Sequence, residues 1–367
     1  MSNSPTATAP APAELPKYRP GIRFANFRKE LGVFGLLVAL CIIVSVMNHS
    51  FFGSDNVQDL ARLVGIYGIF GIGAGIVIIT AGIDLSVGSV FALEGVLLAM
   101  ALNSQFDPAA MNWAPAPFRA VWGLVANGLN GHWIADVVFV IAMCIGLGLI
   151  HGLMITRIPL QPFIVTLCGL MIYRGLARFV SQDNTEGFGD GTGLMSLMNF
   201  TTGVVHGVPM PFIILIVIAV IMWVVVHRTM YGRYLFAVGK NEEAARYAGI
   251  NTRWILASAY MVAGLLTSIA GILLAFYTNS ISPATHGNSY ELYGIAAAVL
   301  GGCSLRGGEG SVIGVLIGTA LLQVLQNLVN LLGIPSSLNF AVVGTVILLG
   351  VTADEIIKRR SARIKAK

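Results

Sequence analysis

The chain has 367 residues, of which 56% are hydrophobic and only 11% are charged, whereas soluble domains carry about 25% charged residues. A globular protein with so few charges would have too little polar surface to stay dispersed, so the composition excludes a cytosolic enzyme, a nucleic-acid binder and a disordered protein. The formal net charge of +5 is therefore interpreted as a signal of membrane topology, and we expect no nucleic-acid partner.

The N-terminal segment has little apolar surface to bury. Residues 1–16 are mostly Ala, Pro, Ser and Thr and are predicted to be disordered, and residues 17–30 are basic. The apolar run 31–47 is too long for a signal peptide and lacks a small-residue cleavage site, so we interpret it as a retained transmembrane helix. Three regions are expected along the chain: a cytoplasmic N-terminus (1–30), a transmembrane domain (31–353) and a basic cytoplasmic tail (354–367).

Apolar runs predict the membrane spans, because about 20 apolar residues are needed to cross a bilayer. Ten candidates occur, at residues 31–48, 60–80, 86–102, 134–153, 162–181, 210–227, 254–277, 290–303, 311–332 and 338–352. The eighth has only 14 residues, and we expect it to be short, broken or re-entrant and packed inside the bundle. The predicted fold is an all-α polytopic membrane helix bundle of about ten transmembrane helices.

Basic residues fall on one predicted side of the membrane. Of the 22 Lys and Arg residues, 16 lie in residues 1–30, in the loop 228–253 and in the tail. The two long loops on the other side, 103–133 and 182–209, share a single one, Arg119. Because loops rich in Lys and Arg stay in the cytoplasm, both termini are predicted to be cytoplasmic.

Small residues indicate packing rather than chemistry. Glycines recur every four residues in several spans, as at Gly148 and Gly152, and this spacing predicts close helix packing, within one subunit rather than between subunits. The four cysteines lie in apolar runs, without a CxxC partner or a His at metal-binding spacing. They are interpreted as small buried hydrophobes, and we expect no metal and no cofactor.

The ninth predicted span carries four carboxamides on one helical face, opposite Gly314 and Gly318. They are Gln323, Gln326, Asn327 and Asn330. Because carboxamides that face lipid would be costly, this face is expected to contact protein or water. Two interpretations stay open: hydrogen bonds between helices, or a polar lining for a hydroxyl-rich solute.

Three further polar residues complete the candidate translocation pathway. Glu94 lies in the middle of the third span, but one acidic residue does not make the relay that a proton-coupled carrier needs. Asp84 and Ser86 lie at the break between the second and third spans, where capping of the helix that begins at about Val87 is favoured and contact with substrate is the alternative. In the fifth span, Arg174 is expected to have a partner inside the bundle.

The loop 228–253 contains the signals of a short helix. Asn241 is a good N-cap residue, Glu242 and Glu243 suit the positive end of the helix dipole, and Gly249 is a good stop. The predicted two-turn helix presents a small flat surface made by Ala244, Ala245 and Ala248. Insertion of this surface into a partner's groove is favoured over the alternative of a solvated basic loop.

Four stretches follow one another in a recognisable order. They are Gly82-Ile83-Asp84-Leu85-Ser86-Val87-Gly88-Ser89; Pro162-Phe163-Ile164-Val165-Thr166-Leu167 with Arg174-Gly175-Leu176-Ala177; Gly232 to Ile250 with Gly239-Lys240-Asn241-Glu242-Glu243-Ala244-Ala245; and Tyr290-Glu291-Leu292 with Gly301-Gly302, Ser304-Leu305, Gly307-Gly308 and Gly310. On these stretches the chain, from about residue 31 to 353, resembles the membrane permease subunits of bacterial ABC importers for monosaccharides, the ribose/xylose/galactose type.

The resemblance implies a function, a membrane and partners. It implies translocation of a pentose or hexose across the bacterial inner membrane, with a cytoplasmic ATP-binding subunit, a periplasmic sugar-binding protein and a second permease copy in a homodimer or heterodimer. The loop after the sixth span resembles the family's coupling helix, which contacts the ATPase. The residues to which this role is carried over are Gly239, Asn241, Glu242, Ala244, Ala245 and Gly249. The chain departs from the family at Tyr293, where an acidic residue is expected, and in its longer outer loop 103–133.

A missing motif indicates where the energy comes from. No GxxxxGK[ST] phosphate loop occurs in the sequence, so we expect no enzyme activity in this chain and ATP hydrolysis on a partner subunit. The alternatives are an ion-gradient-driven secondary transporter, a membrane-embedded enzyme, or an ABC permease for another small polar solute such as an amino acid or a signalling furanone.

Overall fold

A computed structural model describes residues 22–102, 133–189 and 194–335, together with isolated positions at 116, 338, 341, 342, 344, 345, 348 and 352. The helices in chain order are α1 (Ile22–Met47), α2 (Ser54–Ile79), α3 (Val87–Leu102), α4 (Trp133–Arg157), α5 (Pro162–Ser181), α6 (Leu194–Thr202), α7 (Met210–Arg228), α8 (Met230–Lys240), α9 (Glu242–Tyr247), α10 (Thr252–Thr278), α11 (Tyr290–Leu300) and α12 (Val312–Leu331). A two-residue hairpin pairs β1 (Val204–Val205) with β2 (Val208–Pro209) in antiparallel register.

The helices confirm an all-α polytopic bundle. Within the described ranges, seven helices are long and apolar enough to cross a membrane, and α3 and α11 are shorter apolar helices. These nine correspond to the first nine predicted spans, and α11 has only 11 residues, as expected of a short eighth span. The tenth candidate, 338–352, lies largely outside the described residues, as does the outer loop 103–133. The count of ten and the cytoplasmic termini therefore stay predictions.

Two helices form the centre of the bundle. The chain buries most of α2 and α10, whereas α1 is mainly exposed and most of α7 is half-buried or exposed. The exposed side chains of the outer helices are apolar, for example Val46 and Val220, which are 74% and 59% exposed. An apolar surface of this extent is covered by lipid or by another protein chain rather than by water.

Glycines on α4 confirm the predicted close packing within one chain. A Cβ at Gly148 would overlap the carbonyl oxygen of Tyr260 on α10, and a Cβ at Gly152 would lie 2.5 Å from the Cα of Ala257. Gly264 on α10 makes the reciprocal approach to the Cys144 carbonyl. Backbones this close leave no room for side chains between α4 and α10, so the two helices pack as one unit.

The structure adds elements that the sequence reading missed. The predicted loop 228–253 contains a whole helix, α8, before the short helix, and the outer loop 182–209 contains α6 and the hairpin. Thr229 caps α8 by accepting the Gly232 N–H. Leu235 and Val238 bury the inner face of α8 in the main core, so tertiary packing stabilises a segment that reads as a basic loop.

Candidate functional site

The short helix α9 has the caps that the sequence predicts. The Asn241 side chain accepts a 2.9 Å hydrogen bond from the Ala244 N–H. Gly249 follows the helix with a φ of +82°, a conformation that favours glycine. The Thr252 hydroxyl donates a 3.1 Å hydrogen bond to the Glu242 carboxylate. Glu242 therefore connects α9 to the start of α10.

One predicted contact residue is buried. The helix does not present Ala245 on its exposed surface, because this side chain is only 5% exposed and belongs to the main core. Ala244, Tyr247 and Ala248 are exposed instead. The surface available to a partner is therefore the outer side of α9, and Ala245 is the anchor that holds the helix to its own chain.

Gly239 joins α8 to the rest of the bundle. A Cβ at Gly239 would overlap the carbonyl oxygen of Ile79 at the end of α2 and would lie 2.7 Å from the Gly308 nitrogen. The Gly308 N–H in turn donates a 2.8 Å hydrogen bond to the Ile79 carbonyl. Three backbone segments therefore meet without intervening side chains. We name this meeting point of Ile79, Gly239 and Gly308 the glycine junction.

A groove runs beside α9. It is lined by the end of α4, by α9 and by the start of α10, and its residues are Ile155, Thr156, Arg157, Pro159, Glu242, Arg246, Ile250, Asn251, Thr252, Arg253 and Leu256. Three of these are arginines and one is acidic, so the rim is basic. Such a groove is complementary to an acidic or polar protein surface.

Asp84 and Ser86 lie together at the start of α3. Asp84 accepts hydrogen bonds from the Ser86 N–H at 2.9 Å and from the Ser86 hydroxyl at 2.7 Å. The Ser86 carbonyl accepts from Ser89 and Val90, which makes Ser86 the N-cap residue. Both side chains also line a small cavity with His151 and Thr267. Ser86 therefore lies at the N-cap position, but its hydroxyl donates to Asp84 and not to α3, so the capping and pathway roles of the two side chains both stay predictions.

Glu94 lies deeper in the bundle. Its side chain is fully buried, accepts a hydrogen bond from the Ser268 hydroxyl on α10, and contacts Cys144 on α4. Gly271 on α10 leaves the space that the carboxyl group occupies, since a Cβ there would overlap it. Glu94 therefore joins α3, α4 and α10 and is not open to solvent.

The four carboxamides of α12 have different surroundings. Asn327 exchanges hydrogen bonds with Asn56 on α2, at 2.6 and 3.2 Å, and Gln326 bonds the Tyr293 hydroxyl. Gln323 is 1% exposed and its amide has no hydrogen-bond partner among the described residues. Asn330 is exposed. Hydrogen bonding between helices thus accounts for Asn327 and Gln326.

The candidate pathway residues fall into two separate groups. Asp84, Ser86 and Glu94 contact α4 and α10, whereas Asn327 and Gln326 of α12 bond to α2 and α11. No side-chain hydrogen bond joins the two groups within the described ranges. The sequence grouped these residues because each is a polar residue in an apolar run. Polarity alone does not tell which helices are neighbours.

Arg174 has the partners that the sequence predicted, and they are backbone carbonyls. Its guanidinium donates hydrogen bonds to the carbonyls of Pro283 at 3.1 Å, His286 at 2.7 Å and Gly88 at 3.0 Å. The sequence reading did not identify Glu291, whose carboxylate accepts from the Gly88 N–H and from its own backbone N–H. The two side chains hold the start of α3 against the start of α11.

Comparison with known proteins places this chain in a family. Residues 56–351 match the family model described as branched-chain amino acid transport system / permease component. The chain is 38% identical to the ribose import permease protein of Bacillus subtilis over 91% of this chain and 95% of that protein. It is 35% identical to the ribose import permease protein of Escherichia coli K12, over 87% and 91% of the two chains.

A further relative is named for a different sugar. The chain is 28% identical to the D-allose transport system permease protein of Escherichia coli K12, over 92% of this chain and 94% of that protein. No solved structure matches the chain.

Proposed function

The chain belongs to the permease family of the branched-chain amino acid transport system type, and on this premise we propose that it is the membrane-spanning subunit of an ABC importer for monosaccharides. The observation that carries the proposal is the 38% identity to a ribose import permease over nearly the whole of both chains. The solute is a pentose or hexose. Its movement is driven by a cytoplasmic ATP-binding subunit, and a periplasmic sugar-binding protein delivers it.

The α8–α9 pair supports a coupling role in this importer. Its outer side exposes Ala244, Tyr247 and Ala248, which together form a small surface beside a basic groove. Its inner side is buried through Ala245 and held at the glycine junction. A displacement of α9 is therefore transmitted to α2 and to the segment that follows α11. The reason is that close-packed backbones move together and do not deform.

ATP hydrolysis belongs to the partner in this proposal. The chain has no phosphate-binding loop motif, and ATP binding and hydrolysis would act on the permease only through α9. Two permease copies, identical or different, then expose a central pathway to the two sides of the membrane in turn. Asp84 and Ser86, which line the small cavity, and the exposed Asn330 stay candidates for contacts with the solute along this pathway.

The topology follows from the charge distribution. Loop 228–253 holds α9 and five of the chain's basic residues, so it lies in the cytoplasm of a bacterium with the ATPase. Both termini lie on the same side, and the membrane is the inner, cell membrane. The hairpin β1–β2 then lies at the outer surface, where the binding protein docks.

Reconstitution tests the proposal directly. The permease is purified from its native membrane in mild detergent, its associated proteins are identified, and the complex is placed in liposomes with binding protein and ATP. We expect an ATPase to accompany it and radiolabelled D-ribose to accumulate only with ATP, with inhibition by vanadate. Accumulation that follows an ion gradient and ignores vanadate would instead establish a secondary transporter.

A pair of variants tests the coupling surface. Ala244→Arg places a long cation on the exposed side of α9 and should release the ATPase and abolish uptake while the permease stays folded. Val205→Arg, at an exposed position of the hairpin, is the matched control on the opposite face and should retain the ATPase. Loss of the ATPase in both variants, or in neither, would contradict the role of α9.

A second solute class has a specific observation in its favour. The family model is described by branched-chain amino acid transport, whereas the relatives reported above are named for ribose and D-allose. Competition of labelled D-ribose uptake by unlabelled leucine, D-allose and D-fructose separates the two classes. We expect competition by the sugars and none by leucine.

A further inference from the structure

The segment between α10 and α11 turns back into the membrane. Helix α10 has 27 residues and at 1.5 Å per residue is about 40 Å long, enough to cross the bilayer completely. After it, Ile281 packs beside Gly95 of α3, and Gly287 packs beside Gly88. Gly88 precedes Gly95 by two turns of α3, or about 10 Å. Residues 281–287 therefore descend by that distance along α3 into the bundle.

Helix α11 completes the crossing. It has 11 residues and is about 16 Å long, roughly half of the hydrocarbon thickness. Gly301, at its end, packs against the backbone of Gly314 at the start of α12. Gly308 then reaches the glycine junction at the end of α2. Between residues 279 and 303 the chain therefore crosses the membrane first as an irregular segment and then as the helix α11.

Two charged side chains hold the irregular half in place. Arg174 binds the carbonyls of Pro283, His286 and Gly88, and the Glu291 carboxylate binds the Gly88 N–H. Glycines permit the approach, because a Cβ at Gly287 would lie 2.7 Å from the Gly88 carbonyl oxygen. The irregular segment is therefore a fixed part of the bundle on its inner side.

The other side of this segment is open. Ala284, Thr285 and Asn288 are exposed. Neither the Thr285 hydroxyl nor the Asn288 amide makes a side-chain hydrogen bond to any residue that the structure describes. Irregular backbone at membrane depth is tolerated only where protein covers it or where it lines a water-filled cavity. The exposed face of residues 284–288, which we name the polar ledge, therefore does not face lipid.

We propose that the polar ledge lines the translocation pathway and that Thr285 and Asn288 hydrogen-bond the hydroxyl groups of the passing solute. This inference rests on the proposed function. A hydroxyl and an amide supply both donors and acceptors, which suits a polyhydroxylated solute of no net charge. The half-buried ring of Tyr290 follows directly and packs against Phe70 and Tyr67, so an aromatic surface adjoins the polar groups.

The side chains of the polar ledge indicate that water and solute cover it, and not a second copy of the permease. An interface between copies at this depth would bury Thr285 and Asn288, and a buried polar group without a partner costs more than an exposed one. Water satisfies both groups at no such cost. The exposed surface of α7, which consists of apolar side chains such as Ile216 and Val220, shows by contrast what a lipid-facing surface of this chain looks like.

Cysteine labelling tests the proposal. The parent carries Cys168→Ser, which removes the exposed native thiol, and single variants Thr285→Cys, Asn288→Cys and Val220→Cys are made in it. Open membrane fragments that contain the whole transporter are treated with a negatively charged methanethiosulfonate. We expect Thr285→Cys and Asn288→Cys to react at least about tenfold faster than Val220→Cys, because a charged reagent is excluded from hydrocarbon. Labelling should also be slowed by saturating D-ribose with binding protein.

The outcomes separate this inference from the proposed function. If the parent transports D-ribose with ATP but both ledge cysteines resist the charged reagent, or form a disulfide between copies instead, the ledge does not line the pathway. If the ledge cysteines react but the parent transports no sugar, the ledge is exposed to water as proposed, and the assignment of a sugar as the solute is wrong. Asn288→Ala should raise the apparent KM for D-ribose about three- to tenfold, the loss of one hydrogen bond, with normal amounts of protein in the membrane.

Discussion

The guanidinium of Arg174 donates a 2.7 Å hydrogen bond to the backbone carbonyl of His286, 112 residues further along the chain. The same guanidinium reaches Gly88 and Pro283. One side chain on α5 thus sets the position of residues 283–286 relative to the start of α3. An arginine suits this role because its planar group offers several donors in fixed directions.

Replacing Arg174 should loosen the whole bundle. Arg174→Lys keeps the charge but not the fork of donors, and Arg174→Gln loses both, so at least one buried carbonyl is left without a donor at a cost of about 1–3 kcal/mol. We expect a lower thermal midpoint for both variants in detergent, with the larger fall for glutamine. Thermal unfolding followed by tryptophan fluorescence measures this.

The matched control is Arg178→Gln, one turn further along α5. Arg178 forms an exposed ion pair with Asp183 at 2.6 Å, and exposed pairs of this kind contribute little. The thermal midpoint of the Arg178→Gln variant should be close to that of the unsubstituted permease. Equal falls in the thermal midpoint at both arginines would show that the carbonyl contacts of Arg174 stabilise the fold no more than an exposed ion pair does.

Gly239→Ala should disturb the glycine junction. The added methyl group has no space between the Ile79 carbonyl and the Gly308 nitrogen, and overpacking of this kind costs about 1–3 kcal/mol. Because the misfit lies between α8 and the rest of the bundle, we expect sugar uptake per ATP hydrolysed to fall in proteoliposomes, even where the ATPase stays bound.

The control for this substitution is Gly175→Ala. Gly175 is an exposed helical residue with nothing within 4 Å of a Cβ, so the added methyl group should be neutral or stabilise the helix by about 0.5–1 kcal/mol. An unchanged ratio of uptake to hydrolysis in Gly239→Ala would argue against coupling through the junction.

Neighbouring alanines on α9 should respond in opposite ways to the same change. Ala245→Arg forces a cation into the main core, where Ala245 is 5% exposed, so we expect misfolding and little protein in the membrane. Ala244→Arg should be expressed normally and fail only to bind the ATPase. Membrane yield and ATPase capture, measured side by side, distinguish the two; normal yield of both variants would contradict the buried position of Ala245.

The Asn56–Asn327 pair should behave as a structural contact. A double-mutant cycle with Asn56→Ala and Asn327→Ala is expected to give a coupling free energy of about 0.6 kcal/mol, the average for hydrogen bonds between membrane helices. The apparent KM for D-ribose should not change in either single variant. A marked rise in KM for Asn327→Ala alone would return this residue to the translocation pathway.

The sequence by itself determined the class of the fold and much of the local structure. Apolar runs of membrane length predicted nine helices that the described residues contain, because hydrocarbon demands continuous apolar segments with internally paired backbones. Asn241, Ser86 and Gly249 marked helix ends correctly, since capping depends on neighbours in the chain. The ordered motifs identified the family.

Only the tertiary structure decided which of these residues meet. It buried Ala245, paired Asn327 with Asn56, bonded Glu94 to Ser268 of α10 and brought Arg174 to the carbonyl of His286. None of this follows from spacing, because the partners lie on other helices. Periodicity tells which side chains share a face, and only packing tells what that face meets.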